Sequence, residues 1–415
     1  MANVLKNPTY SNAKGYQGFP LRNSIQFSSC LGHLLPVWWH TLDPGDKVNI
    51  NCVLKTRTNP LDSPAMVSIN EHLDWFFVPY RNLYRLFEQI YTGVNDIHSS
   101  VFDPTEVTNI YPYTTLKEIF KKILDDSRKT DDFGYNRPAG TIRLLQALGY
   151  DVASVLDWNI PAMNDFEAIN VARSLWSLCA YQAIYYSHYR LSDRQENVAP
   201  AYSLDQYYQN TSAITSTYLN ENMLKLRYRP IQKDFFHGGF VSPLIGSGNI
   251  GMLGTFNNGD SYFASDFFRQ YLMTGEDSSI INSDGTSTTT SPSSVDFGST
   301  NLASLRQSFA LEKLLEITRR TGKHIDEQIL AHFGVKVPEG VSEEPIYIGS
   351  DDSEIQIGDV ISTAGTDSDA LGELAGKGYN HSNGHIGQFE AKCHGILMCI
   401  YSSDIPLHLA SNCPI

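Results

Sequence analysis

The chain has 415 residues, 41% of them hydrophobic and 18% charged, and 31 Lys+Arg against 45 Asp+Glu give a net charge of −14. That balance excludes a protein that coats itself in nucleic acid unaided, because binding phosphate requires positive charge to displace counterions; if the chain handles a genome, a separate basic partner neutralises the phosphates. No run of about 18 apolar residues occurs, which argues against a membrane-spanning helix. The N-terminal MANVLKNPTYSNAKGYQG has no apolar stretch like a signal peptide. Cys30, Cys52, Cys179, Cys393, Cys399 and Cys413 form no CxxC pair, which fits reduced thiols in a cytoplasm. The 30 glycines and 19 prolines imply many turns, and 23 tyrosines with 20 phenylalanines imply strands or interfaces.

In chain order, DPGDK (43–47) is a turn. VNINCVL (48–54) alternates as a half-buried strand. TNPLDSPA (58–65) is an irregular link. MVSINEHLDWFFVP (66–79) is a long ribbon with Val67, Ile69, Leu73, Trp75 and Phe77 on one face and Ser68, Asn70, His72 and Asp74 on the other. Glu71 breaks the apolar face; it is expected near the sheet's end or beside a cation. Thr115-x-x-Glu118 is a capping-box pattern ahead of Leu116, Ile119, Phe120, Ile123 and Leu124 at helical spacing. Asn164-x-x-Glu167 predicts a helix running to about Tyr189, and Ser304-x-x-Gln307 predicts one through Arg320. A shorter helix near 325–333 ends at Gly334, as a C-cap glycine should. EIQIGDVI (354–361) reads as a strand with a bulge at Gly358. FEAKCHGILMCIY (389–401) reads as one strand that is apolar on both faces from Ile396. The polar stretch 277–298 reads as a long loop or a disordered tip. Strands far apart in sequence must pair around long helical insertions, which favours a Greek-key sandwich over βαβ units.

Enzyme chemistry finds no support in the sequence. GSGNIG (246–251) matches a dinucleotide fingerprint, but Gly254 and Asn257-Asn258-Gly259 oppose the helix it needs. His381, His385, Glu390, Cys393 and His394 cluster in sequence, yet Asn383-Gly384 argues against a helix that would gather them round zinc. SDDSE (350–354) lacks the spacing of a calcium loop and reads as a solvated acidic turn. No G-x-S-x-G elbow is present. The distinctive feature is paired aromatics: Trp38-Trp39, Phe76-Phe77, Tyr185-Tyr186, Tyr207-Tyr208 and Phe235-Phe236. On a strand, such a pair puts a ring on each face, so both faces need cover, from the chain's own insertions or from a neighbouring subunit.

LLPVWWHTLDPGDKVNINCVLKTRTNPLDSPAMVSINEHLDWFFVPYRNLYRLFEQIYTG (34–93) resembles the N-terminal part of the major capsid protein of microviruses, small phages with circular single-stranded DNA. The signature positions are Pro44, Gly45 and Asp46, then Phe76, Phe77, Val78, Pro79 and Arg81. A second block, AYQAIYYSHYR (180–190) and LRYRPIQKDFF (226–236), carries Asp234, Phe235 and Phe236. A third, LRQSFALEKLLEITRRTGKHIDEQILAHFGVKVPEG (305–340), carries His332, Phe333, Gly334 and Val335. The blocks come in family order across most of 20–405. Relatives carry Gly-Gly-x-Arg-Tyr where this chain has Thr321-Gly322-Lys323-His324, and Pro-Asp-x-Arg where it has Pro338-Glu339-Gly340-Val341, which points to a divergent branch. Relatives also continue beyond the last strand, so a chain that stops at Ile415 is expected to lack the family's C-terminal region.

The resemblance implies a mainly β fold: a viral jelly-roll, an antiparallel Greek-key sandwich with long α-helical and loop insertions. It implies a single capsid domain over 1–415, with strands mainly within 25–80 and 345–405, a helical insertion at about 81–240, a loop-rich one at about 241–300, and helices at about 303–333. The function implied is a structural, non-enzymatic one: self-assembly into a small icosahedral shell around single-stranded DNA, with no cofactor and no metal. Partners are further copies, a small basic DNA-associated protein, the encapsidated DNA and a host surface receptor, with no membrane. The place is the virion, after assembly in the host bacterial cytoplasm. Asp277, Ser278, Asn282, Asp284, Thr286 and Ser291 mark the candidate host-facing loop. A second reading is a carbohydrate-binding jelly-roll protein with exposed aromatics stacking on sugars; a third, a metal-dependent jelly-roll enzyme, lacks the motifs.

Overall fold

The structure is a computed structural model that describes residues 18–60, 68–88, 112–126, 137–150, 172–191, 195–207, 213–230, 279–281, 287–289, 302–321, 325–338, 344–361 and 374–405. The chain divides into two compact units, one drawn from Met1–Tyr189, Val198–Ile231 and Glu344–Ile415, the other from Arg190–Asn197 and Gln232–Glu343.

The first unit is built on an antiparallel sheet. Its strands are β1 (Leu35–Leu42), β2 (Lys47–Arg57), β3 (Ile69–Pro79), β8 (Ile346–Ile361), β9 (Leu374–Glu390) and β10 (Gly395–Asp404), in the order β1-β10-β3-β8-β9-β2. The pairing is long-range: Phe76 lies opposite Met398 and Lys55 opposite His381. β8 passes from one leaf to the other. Its first half pairs with β3 from Ile346↔Phe77 to Ile355↔Ile69, and its second half with β9 from Gln356↔Tyr379 to Ile361↔Leu374. The sheet therefore curls on itself, and β2 and β9 face β3 and β10 across a shared core, the jelly-roll-like mainly β arrangement expected. In that core Ile50, Cys52 and Leu54 meet Leu73, Trp75, Phe77, Leu397, Cys399 and Tyr401.

The opposite face of β3 and β10 is equally apolar. Phe76, Val78, Ile396, Met398 and Ile400 belong to a second buried cluster made with the chain's own insertion. That insertion holds α1 (Tyr80–Leu83), β4 (Tyr113–Thr115), α2 (Leu116–Asp126), α3 (Arg137–Ala147), β5 (Ala172–Ser174) and α4 (Trp176–Ile184), which runs on into a π turn at Tyr185–Tyr189. The aromatic pairs divide as strand geometry requires. Trp38 packs on Trp75 at 5.4 Å inside the sandwich, while the Trp39 indole N–H reaches out to the Leu148 carbonyl at 3.0 Å. Phe77 packs on Phe389 at 5.0 Å within, and Phe76 packs on His188 at 4.9 Å without. Of the two covers considered for these faces, the chain supplies its own at Phe76, while the Trp39 ring stays exposed.

Several local expectations hold. The Thr115 hydroxyl accepts the Glu118 amide at 3.4 Å, and Ile119, Phe120 and Ile123 are buried. In the second unit, α5 (Leu302–Arg320) opens two residues before Ser304, and α6 (Ile325–Phe333) stops at Gly334, whose φ is 69°. Its short β6 (Ser279–Ile281) and β7 (Ser287–Thr289) pair as a hairpin within the stretch read as a loop.

Other expectations are corrected. The 164–189 helix begins at Trp176, because Ala172–Ser174 is drawn into a strand against Tyr113–Thr115; Asn164 and Glu167 lie outside the described residues. The 389–401 strand is split by the corner Ala391–His394. Ser350–Glu354 is strand rather than acidic turn, since β3 pairs with it throughout. Gly358 is no bulge: it pairs with Lys377 in an unbroken ladder, and the irregularities fall at Ile348 and at Ile386-Gly387. β9 has no counterpart among the expected strands. Its glycines conceal it, and they answer to packing: a Cβ on Gly384 would stand 2.3 Å from the Asp351 carboxyl carbon, and one on Gly378 would stand 2.6 Å from Thr58. At Gly384 the facing leaf, and at Gly378 the end of the neighbouring strand, come too close for a side chain.

Because Phe76 and Phe77 fill separate cores of one chain, Phe76→Ala and Phe77→Ala are each expected to destabilise the unassembled protein by about 3–5 kcal/mol. Urea unfolding checks this, and an unchanged midpoint for either variant contradicts it.

Candidate functional site

The first of the signature residues form a corner of the fold. Gly45 has φ 94°, a left-handed value suited to glycine, and its amide donates to the Ala391 carbonyl at 2.7 Å. The Ala391 amide returns a bond to Asp46 O at 2.9 Å, and the Asp46 carboxylate accepts the Asp43 amide at 3.0 Å. The Pro44-Gly45-Asp46 turn thus ties the β1–β2 corner to the β9–β10 corner. Val78 and Pro79 are buried at the end of β3, and Arg81 is exposed. In the second unit Thr318 Oγ donates to the Leu314 carbonyl at 3.0 Å, so its lone pair receives the His332 Nε2 proton at 3.0 Å; Phe333 and Val335 are exposed. Asp234, Phe235 and Phe236 lie outside the described residues, as do Asp277, Ser278, Asn282, Asp284, Thr286 and Ser291 and the GSGNIG stretch.

Where the β3–β10 pair leaves the cores, it carries buried polar groups. Glu71 is fully buried and accepts the Asn380 amide at 2.7 Å and the Tyr401 hydroxyl. Its partners are neutral donors rather than a cation, and of the two placements considered it takes the one near the sheet's end, as the third residue of β3. Burial, then the hydrogen bond to Glu71, pushes the Tyr401 hydroxyl well up. His72 lies between Asp352, 2.6 Å from Nδ1, and Asp404, 3.2 Å from Nε2.

Asp74 accepts from Tyr189, and Arg229 donates to Asp74 at 3.1 Å and to Ser402 at 2.7 Å. Arg229 Nε also stands 3.4 Å from Asp404. Burial, followed by the Asp74 charge, drives the Tyr189 hydroxyl well above its ordinary range. Arg227, two residues before, bonds Gln182 at 2.8 Å and Tyr186 at 3.0 Å and lies 4.8 Å over the Tyr185 ring. Its amide donates to the Tyr181 hydroxyl at 2.9 Å, which donates to Leu34 O at 2.8 Å. Residues 227–229 therefore form a strap that two arginines nail to the sheet and to α4. Sequence reasoning quoted this strap but gave the arginines no role; the available signal was Arg-x-Arg in an acidic chain, directly after an apolar residue.

The residues weighed as zinc ligands serve other contacts. His385 Nδ1 donates to Asn51 Oδ1 at 2.6 Å, Glu390 pairs with Lys47 at 3.2 Å, and His394 meets Asp43 at 3.0 Å. His381 is an exposed residue on β9, and burial raises the Cys393 thiol despite the nearby Arg81 charge. Among the described residues no three potential ligands converge on one point, and none of the described helices is long and apolar enough to cross a membrane. What the arrangement provides is a rigid sheet with its inserted layer locked on.

A family profile described as capsid protein (F protein) matches residues 21–126, which hold β1 to β3 and the start of the insertion. The capsid protein VP1 of Chlamydia phage 1 is 26% identical over 185 residues, covering 42% of this chain. Over these residues the chain is similar to microvirus capsid proteins. It spans 30% of the length of that relative. The blocks quoted from the sequence at 34–93 fall within the profile match and form the first strands of the curled sheet.

Since Arg229 is the cation that faces both Asp74 and Asp404 in this clamp, Arg229→Ala is expected to cost about 3 kcal/mol, by leaving buried carboxylates uncompensated. Asp74→Asn in the same background should recover part of that loss. Denaturant midpoints of the two variants decide, and equal stability of Arg229→Ala and wild type contradicts the clamp.

Proposed function

We propose that copies of this chain associate into a small icosahedral shell that encloses single-stranded DNA. The observation that supports this most is the capsid-protein family match lying on the strands of a jelly-roll-like sheet. No bond is made or broken in this work. Apolar burial at repeated contacts drives association, and lost rigid-body freedom opposes it. Symmetric repetition of the same contacts closes the shell. Both faces of β3 and β10 are covered within the chain, so association draws on other surfaces. Exposed apolar side chains support that: Phe19, Leu21, Ile25, Phe27 and Leu31 before β1, and Phe309, Phe333 and Val335 in the second unit.

In this reading the strands within 25–80 and 345–405 carry one capsid domain, and the segments between them are insertions on it. The acidic balance of the chain goes with a small basic protein accompanying the DNA. The 277–298 stretch meets the host surface, and the shell assembles in the host bacterial cytoplasm before release as a virion.

The full chain, expressed in a bacterium, is sedimented through sucrose and imaged by negative stain. Uniform closed particles are the expected outcome. A stable monomer that binds glycans on an array contradicts the proposal and supports the carbohydrate-binding reading instead.

A further inference from the structure

We propose that the outer face of the β2–β9 ribbon is a contact surface for single-stranded DNA. This inference rests on the reading of the chain as a DNA-enclosing shell protein and names where the enclosed strand touches it.

The face shows a local reversal of charge. The chain carries −14, yet the outward positions of β2 and β9 hold four cations, Lys47, Lys55, Arg57 and Lys377, against one carboxylate, Glu390. Glu390 is engaged by Lys47 at 3.2 Å, at the far end of the ribbon. The remaining three cations lie together. Lys55 is opposite His381, Arg57 is opposite Tyr379, and Lys377 is the next outward residue along β9 from Tyr379. None of the three is ion-paired among the described residues. The third strand adds Gln356 beside Tyr379 and Gly358 beside Lys377, neither of them charged, and its next outward residue from Gln356, Glu354, is an exposed carboxylate at the edge of the patch.

Strand geometry sets these groups about 5 Å apart across the ribbon and about 7 Å apart along it. Tyr379, half exposed in their midst, offers a ring on which a base can stack. His381 and Asn383 continue the same face with hydrogen-bonding groups suited to base edges. Cations around an exposed aromatic are how single strands are held without sequence preference. Val53 is the exposed aliphatic side chain on this face of β2; one valine is too small a wedge to enter a bilayer, which favours nucleic acid over an anionic membrane.

The test is titration of a fluorescent oligothymidylate with the unassembled full chain at several salt concentrations. Three neutralised phosphate contacts contribute a log–log salt slope of about −2, so a fourfold rise in salt should weaken wild type about 20-fold more than K55Q/R57Q/K377Q. Lys55→Gln and Lys377→Gln singly should each remove about 0.7 from the slope, which keeps the test open if the triple variant folds poorly. Tyr379→Ala should weaken binding about fivefold or more with the slope unchanged. R22Q/K117Q/K122Q, with equal charge removed elsewhere, should bind as wild type does. The proposal is overturned if wild type does not bind, if both triple variants behave alike, or if anionic phosphatidylserine vesicles are bound and the oligonucleotide is not. Binding is read without particles, so its failure leaves shell formation intact, and failure to form particles leaves the binding result intact.

Discussion

The architecture depends on one constraint: β3 and β10 are buried on both faces. A strand of that kind cannot sit at the surface of a one-layer or simple two-layer fold, because either face left open exposes Phe76 and Met398 or Phe77 and Leu397. The curl of the sheet through β8 covers one face, and the part of the insertion that belongs to the first unit, from Leu83 to Leu226, covers the other. That part is therefore a layer of the core rather than decoration. A chain built this way folds with its sheet already sealed.

Sealing creates an electrostatic problem that the structure resolves at the end of the same strands. Glu71, His72 and Asp74 are withdrawn from water by the layers that bury the aromatics. Each needs partners, and those partners come from distant segments: Asn380 and Tyr401 for Glu71, Asp352 and Asp404 for His72, Tyr189 and Arg229 for Asp74. Leaving such groups unpaired would cost more than the pairs themselves contribute, so the network fixes which segments lie against β3. Polar specificity and apolar burial thus act on one ribbon.

What the sequence revealed followed from short-range periodicity. The alternation of β2, the two-faced tail of β10, the Thr115 cap and the Gly334 stop all depend on neighbours within one or two turns. What stayed hidden depended on contacts from tens to hundreds of residues away. β9 is rich in glycine and asparagine, and only the proximity of Asp351 and Thr58 explains why those glycines occupy a strand. Glu71 looked like a flaw in an apolar face until Asn380 and Tyr401 were brought against it. Arg227 and Arg229 carry no periodic signal, since their partners come from α4, the π turn and the sheet. The signature blocks compensated in part, because Pro44, Gly45 and Asp46 mark a corner whose bonding partner, Ala391, lies at the other end of the fold.

If the sheet is sealed within each chain, amide hydrogen exchange on the dispersed, unassembled protein should show it directly. The account predicts that the amides of Leu73–Val78 and Ile396–Tyr401 are the slowest in the molecule and exchange only through global unfolding. Rapid exchange of those amides in the dispersed chain, with protection appearing only in assembled particles, would mean that neighbouring copies supply the cover, and would contradict it.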